Sequence, residues 1–299
     1  MSTDEQTVAA PRPRGTNRTR RRFLKRAAVG AGALLAGSAG WASFLEPRWI
    51  RVRHVSVPLP GLPPALDGFT IGQLSDLHAG PHVSPRHIRR GIETVASLEC
   101  DLIVLTGDFV WGGAGPGEVK AEHFASLRAR HGVFAVLGNH DYWSGRVNDI
   151  RRELTRAGIR VLVNESVPIK VKETRWWLGG VDDLWSGAPD VTAAFVGAPA
   201  GAFRILLCHE PDFADQAAAA GLPLQLSGHS HGGQVRLPFL GAMILPQYGE
   251  KYPIGLQRIE PTDSLVYTNV GLGLVPPLVR FRCPPEVTRL TLVSAGSQR

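Results

Sequence analysis

Five short clusters of metal-binding residue types punctuate the sequence: Ser75-Asp76-Leu77-His78, Thr106-Gly107-Asp108, Gly138-Asn139-His140-Asp141, Cys208-His209-Glu210-Pro211 and Gly228-His229-Ser230-His231-Gly232-Gly233. Carboxylate and amide oxygens combined with imidazole nitrogens suit Mn, Fe or Zn. The three cysteines form no C-x-x-C pair, so a purely structural zinc site is not signalled. Such a donor set suits two cations about 3.5–4 Å apart that share one bridging carboxylate, clamp a phosphoryl group and activate a water. Taken singly, each cluster is weak. An Asp-x-His pair is common, and Gly-Asn-His-Asp can be an ordinary turn. Five in this order are specific.

Each cluster follows an apolar run: Phe69–Leu74, Leu102–Leu105, Val133–Leu137, Ile205–Cys208 and Leu224–Leu226. Runs of this length read as buried strands. Ser84-Pro85 is a helix start, with a hydroxyl for the cap and proline in the first turn, ahead of Ile88, Ile92 and Val95 at helical spacing. Strands alternating with helices predict an α/β domain. In such sheets, ligand sites collect outside the carboxyl ends of the strands, so the five loops are expected to converge. Ile50–Val57 alternates and reads as a half-buried strand, and Val287–Val293 as a closing one. Val161–Val171 and Trp176–Leu178 follow each other with no helix between, which predicts antiparallel pairing or a second sheet. With no internal repeat and no long linker, residues 50–299 read as one catalytic domain.

Residues 1–45 read as a separate targeting segment. Thr19–Lys25 contains paired arginines followed by Phe23 and Leu24, and an uncharged Ala/Gly-rich stretch runs from Ala27 to Leu45. A basic region before an apolar one is a signal pattern, and the arginine pair is of the type read by the twin-arginine translocon. The competing reading is a membrane anchor with a basic flank, for which an Ala/Gly-rich helix is a poor solvent match. Residues 1–18 are polar and expected to lack fixed structure. The net charge of +7 belongs to this leader: residues 1–26 hold eight basic and two acidic side chains, leaving a surplus of one for the rest. A body so near neutral has no broad footprint for nucleic acid. Arg86, Arg89 and Arg90 can form a local basic patch, although a solvated helix face is the simpler reading. Cys100 and Cys208 lie in apolar runs and read as small buried hydrophobes.

The whole pattern resembles the calcineurin-like metallophosphoesterase superfamily, across most of residues 50–292. Pro58 to Gly68, the Asp76 and His229 clusters, Gly271-Leu272-Gly273, Pro277–Phe281 and Pro285-Glu286 resemble a bacterial branch. That branch holds twin-arginine-exported phosphodiesterases and UDP-2,3-diacylglucosamine hydrolase-like proteins. The resemblance implies a four-layer α/β/β/α sandwich and two divalent or mixed-valence transition-metal ions (Mn, Fe or Zn). Asp76, His78 and His231 would hold the first ion with Asp108. Asn139, His209 and His229 would hold the second, with Asp108 bridging. His140 would be the unligated catalytic histidine facing the phosphate. The implied reaction is hydrolysis of a phosphodiester or diphosphate by a metal-activated hydroxide. A catalytically impaired metal-binding envelope protein is the alternative, and a nuclease is disfavoured by the near-neutral body.

The family usually carries a second aspartate three residues after the bridging one, and this chain has Trp111 there. The departure predicts the loss of a hydrogen bond that orients a ligand. Asp182 and Asp183 read equally as loop caps or as functional residues. Trp176, Trp177 and Trp185 read as core rather than as a groove for lipid or sugar. His82, His87, His123 and His131 read as solvent-facing. The expected partners are a phosphodiester or lipid-linked diphosphate substrate, the twin-arginine translocon and a membrane surface, with no nucleic acid. The expected location is the periplasm or cell envelope, by export or by an uncleaved tether.

Overall fold

A computed structural model describes residues 16–112 and 118–296. Of the polar leader, residues 1–15 lie outside the described residues, whereas residues 16–18 open a helix rather than remaining irregular. The chain divides into two compact units, Met1–Trp41 and Ala42–Arg299. The first contains helix α1, Thr16–Gly40. Arg20–Arg48 is long and apolar enough to cross a membrane, by length and composition.

In the second unit the α/β expectation holds. One six-stranded sheet runs β1 (Arg51–Leu59), β14 (Glu286–Ser294), β2 (Thr70–Leu74), β3 (Leu102–Thr106), β4 (Val133–Val136) and β5 (Arg160–Val161). The other runs β12 (Gly255–Arg258), β13 (Leu265–Thr268), β9 (Leu224–Ser227), β8 (Arg204–Leu207), β7 (Thr174–Gly180) and β6 (Glu165–Val171). The strands that carry the clusters, β2, β3 and β4 in one sheet and β8 and β9 in the other, run parallel to one another within each sheet. The two sheets pack face to face. Leu102, Val104 and Val136 from the first meet Trp176, Leu178, Ile205, Leu207 and Leu226 from the second in one buried cluster.

The alternation of β3 explains why both of its faces are apolar. Leu102 and Val104 point between the sheets, while Ile103 and Leu105 point outward, against Ile88, Ile92 and Val95 of helix α2 (Pro85–Ser97) and Ile150 and Leu154 of helix α3 (Val147–Arg156). A strand buried on both faces reads as a continuous apolar run. On the far side of the second sheet, Leu206 and Cys208 pack against Phe213 and Ala217, the latter in helix α4 (Ala214–Ala219). Helix, sheet, sheet and helix therefore form four layers. Ser84 caps α2 as the sequence implies, accepting from His87 N at 3.2 Å. All three cysteines are free and buried.

Candidate metal centre

The five clusters lie at the carboxyl ends of β2, β3, β4, β8 and β9, where loops from the two sheets meet. Backbone pairing continues past the strand ends and locks the loops in register. Asp76 N donates to Gly107 O, His78 N to Asp108 O, and Gly228 N to His209 O, each at 3.0 Å. His229 N donates to the Asp76 carboxylate at 3.1 Å, which ties a loop of the second sheet to one of the first. Asp76, His78, Asp108, His229 and His231 all have positive φ, between 46° and 69°. Non-glycine residues rarely adopt this region, and its concentration here marks a functional site.

All eight singled-out side chains come together. Asp76, His78, Asp108, Asn139, His209, His229 and His231 are buried, and His140 is half-buried at the rim. Ligand atoms of Asp76, His78 and His231 lie within 4.8 Å of one another, as do those of Asp76, Asp108 and His209. Those of His78, Asp108 and His140 make a third such group. Asp108 Oδ2 stands 3.2 Å from His209 Nε2 and 3.5 Å from His78 Nε2, so it is central to both halves.

The donors face each other in a way that calls for a cation. His209 Nδ1–H donates to Thr106 O at 2.6 Å, which turns Nε2 towards Asp108 Oδ2. His229 Nε2–H donates to Gln247 O at 2.8 Å, so its Nδ1 lone pair faces Asn139 Oδ1 at 3.0 Å. His78 Nε2 and His231 Nε2 stand 2.9 Å apart. Burial disfavours a charged His209, yet the Asp108 and Asp76 carboxylates beside it hold its pKa well above the ordinary histidine value. Burial pushes Asp76 up to about 7, with Asp108 adding and His209 opposing. Burial holds His78 and His229 down to about 3, as neutral nitrogen donors. Glycines leave the cradle open: a Cβ on Gly138 would overlap Asp108 Oδ1 and stand 2.7 Å from His209 Nε2. Buried facing acceptors around space a methyl group would fill fit a two-cation site.

His140 is the first side chain outside this cradle. Its backbone N–H donates to Asp108 Oδ1 at 2.9 Å, and Gly112 N–H donates to its Nδ1 at 3.2 Å. Burial lowers its pKa against the opposing Asp108, so the ring is neutral at pH 7 and carries its proton on Nε2. Trp111 stacks on this ring at 4.8 Å between centroids and 30° between planes, and Trp143 packs on it at 4.8 Å. The tryptophan at the usual aspartate position thus acts on the histidine by stacking. Asp141 orders the same loop, accepting from Phe109 N, Val110 N and Gly138 N.

Several contributors carried no individual signal in the sequence. Arg280 is fully buried and donates to the carbonyls of Cys283, Val270, Gly271 and Gly273 at 2.8–3.1 Å, with Nη2 3.4 Å from His231 Nδ1. It fastens the Gly271–Gly273 loop, whose amides reach the backbone of Ser75 and Asp76. Trp185 departs from the core expectation. It is 38% exposed and lines the cavity over the centre, whereas Trp176 is fully buried and Trp177 half-buried. The four histidines expected to face solvent are half-buried. His87 bonds Leu272 O at 3.1 Å, His82 packs on Trp111, His131 on Phe69, and His123 Nδ1 accepts from Lys120 N. Asp182 and Asp183 cap their loop, accepting from Ala188 N and Ser186 N.

The cavity measures about 270 Å³. Its floor is Asp108, Asn139, His140, His229 and His231, and its walls include Trp143, Trp185, Ile244, Leu245 and Pro276. A larger hollow of about 510 Å³, lined by Glu118, Arg152 and Arg156, holds none of the site residues.

The sequence profile of the calcineurin-like phosphoesterases matches residues 69–233, the span of all five clusters. The chain belongs to this family. It is 34% identical over 288 residues to the metallophosphoesterase YkuE of Bacillus subtilis, covering 93% of this chain and 99% of that one. It is 32% identical over 279 residues to phosphodiesterase YaeI of Escherichia coli, covering 92% and 99%. It is 29% identical over 298 residues to the UDP-2,3-diacylglucosamine pyrophosphatase LpxG of Chlamydia trachomatis, covering 83% and 90%. This metallophosphoesterase is a metal-dependent phosphoester hydrolase with an Asp/His centre.

Proposed function

We propose that the chain hydrolyses a phosphodiester or diphosphate linkage of an envelope or lipid-linked molecule, of which a UDP-2,3-diacylglucosamine-like compound is one example. The observation that carries this reading is the amphiphilic cavity: a floor of facing acceptors beneath apolar walls that include two tryptophans. Similarity to a phosphodiesterase and to a lipid-sugar pyrophosphatase supports it. Asp76, His78, His231 and Asp108 would hold one ion, and Asn139, His209, His229 and Asp108 the other, with Mn, Fe or Zn as candidates. A bound pair supplies Lewis acidity towards phosphoryl oxygens and an attacking water that is acidic near neutral pH.

The chain's own residues do the rest. His140 presents Nε2–H into the cavity, where it can hydrogen-bond a phosphoryl oxygen and stabilise the negative charge that builds up there. Trp111, Trp143 and the Gly112 amide hold the ring in that tautomer and orientation. The apolar walls take the part of the substrate remote from phosphorus and keep bulk water out. The leader is read as a twin-arginine signal, cleaved or retained as a tether, since Arg20 and Arg21 stand ahead of Phe23-Leu24 and of the uncharged segment that starts at Ala27.

The test is hydrolysis of bis(4-nitrophenyl) phosphate and 4-nitrophenyl phosphate by purified full-length protein, before and after chelation and on return of Mn, Fe or Zn. The expected result is about two ions per chain, activity that follows the metal, and preference for the diester. Metal-loaded protein that turns over neither compound would leave the impaired metal-binding reading standing.

A further inference from the structure

Beside the catalytic cavity lies a short antiparallel hairpin, β10 (Arg236–Leu237) and β11 (Gly241–Ala242). Its tip is Pro238-Phe239-Leu240. Phe239 is fully exposed, and Leu240 and Ile244 are each 73% exposed. Met243, just past the returning strand, is exposed as well. The hairpin is rooted firmly. Arg236 N donates to Phe281 O at 2.9 Å, Arg236 Nη1 to Gly232 O at 2.9 Å, and Met243 N to Val235 O at 3.2 Å. Ile244 and Leu245, which follow it directly, form a wall of the cavity. A rigid projection of contiguous large apolar side chains is unfavourable in water and marks an interaction surface.

Charge indicates what meets it. On the other side of the Leu274–Leu278 segment is a groove of about 410 Å³. Arg48, Arg86, Arg90 and His87 line it together with Leu272, Leu274 and Leu278, and no carboxylate is among its lining residues. None of these three arginines pairs with a carboxylate among the described residues. Val275, Pro276 and Pro277 of the same segment line the catalytic cavity. Apolar tip, cavity mouth and basic groove are therefore neighbours, and clustered arginines beside apolar side chains are the composition that binds anionic bilayers.

We propose that this face docks on an anionic lipid bilayer, with the Phe239–Leu240 tip among the acyl chains and Arg48, Arg86 and Arg90 on headgroup phosphates. The cavity then opens at the lipid surface and takes a phosphodiester from it. This rests on the reading that the substrate belongs to the envelope.

The test is made on full-length protein. Because the native cysteines are all buried, Leu240→Cys can be labelled selectively with a polarity-sensitive fluorophore. The labelled protein is reconstituted into phosphatidylcholine vesicles with and without 30 mol% phosphatidylglycerol. The expected result is a blue-shifted emission, quenched by brominated acyl chains, that is at least about twofold stronger with phosphatidylglycerol. Arg86→Gln with Arg90→Gln should remove that difference. An emission spectrum typical of water in both vesicles overturns the proposal. So does a blue shift already present without vesicles that grows with protein concentration, because the tip then packs against another copy. Equal quenching in the two vesicles overturns the assignment of the arginines to headgroups. Bis(4-nitrophenyl) phosphate hydrolysis by the wild type, measured in parallel, decides the phosphodiesterase reading separately.

Discussion

Gly138→Ala separates the metal cradle from the fold. Gly138 has φ −123° and ψ 172°, extended backbone that alanine adopts without strain. The added methyl, however, would overlap Asp108 Oδ1 and stand 2.7 Å from His209 Nε2 and 2.8 Å from Asp108 N. To restore ordinary contact the Asp108 carboxylate must shift by about 1 Å, whereas metal–ligand distances tolerate about 0.2 Å. Disturbing a partner that merely orients a ligand costs about 10–100-fold in affinity. Displacing the carboxylate shared by both ions should cost at least about 100-fold, or roughly 2.7 kcal/mol. Crowding a packed interior by one methyl costs about 1–3 kcal/mol of stability, so the variant should still fold. Competition with a chromophoric chelator measures the affinity, and circular dichroism measures the fold. Gly197→Ala is the control, because its methyl would meet nothing within 4 Å. A folded Gly138→Ala protein that binds two ions as tightly as the wild type would refute the assignment of Asp108 as the shared ligand.

His140→Ala should keep its metal and lose about 10²–10⁴-fold in turnover of a diester with a poor leaving group, read by steady-state kinetics beside elemental analysis. Arg280→Met strands four buried carbonyl contacts and should lower stability by about 3–5 kcal/mol, seen as a fall of roughly 6–20 °C in the thermal midpoint. Arg20→Lys with Arg21→Lys preserves charge, so it should trap folded, active protein inside the cell if the leader is a twin-arginine signal. Protease accessibility in spheroplasts reads this, and unchanged localisation would leave a simple basic-flanked anchor.

The candidate site positions were legible because each lies at a strand end and advertises its chemistry by residue type. Asp76, Asp108 and His209 follow runs that are buried on both faces, and such runs can be read without knowing their neighbours. What depends on distant partners was hidden. Arg280 contacts Gly271 and Cys283 nearby, but its bearing on the site comes through His231, 49 residues away. Trp111 is defined by a ring 29 residues further along the chain, and Trp185 by the cavity it borders. The apolar stretch Val161–Val171 conceals a change of sheet: β5 ends at Val161 in one, and β6 begins at Glu165 in the other. Asn164, at φ 51°, makes the crossing. Composition does not record which sheet a strand joins, because both offer the same buried environment.

The left-handed residues link the fold to the chemistry. Asp76 and His78, and likewise His229 and His231, are two apart on one loop, and both members of each pair must aim at the centre. In the first loop Leu77 is meanwhile buried in the layer beneath. Sparsely populated backbone regions cost about 1–3 kcal/mol each. Five in one centre amount to roughly 5–15 kcal/mol, comparable with the whole stability of an ordinary domain. Part of this is offset by the paired loop backbones, such as Asp76 N to Gly107 O and Gly228 N to His209 O, which form without any metal. The remainder has a different source. Facing acceptors such as His229 Nδ1 and Asn139 Oδ1 repel until a cation lies between them, so ion binding is itself folding energy for these loops. A centre built in this way is most strained when empty and most rigid when loaded. That favours loading while the chain folds, in the compartment where it is made, and it is the physical reason a twin-arginine signal, as proposed above for the leader, would suit this domain.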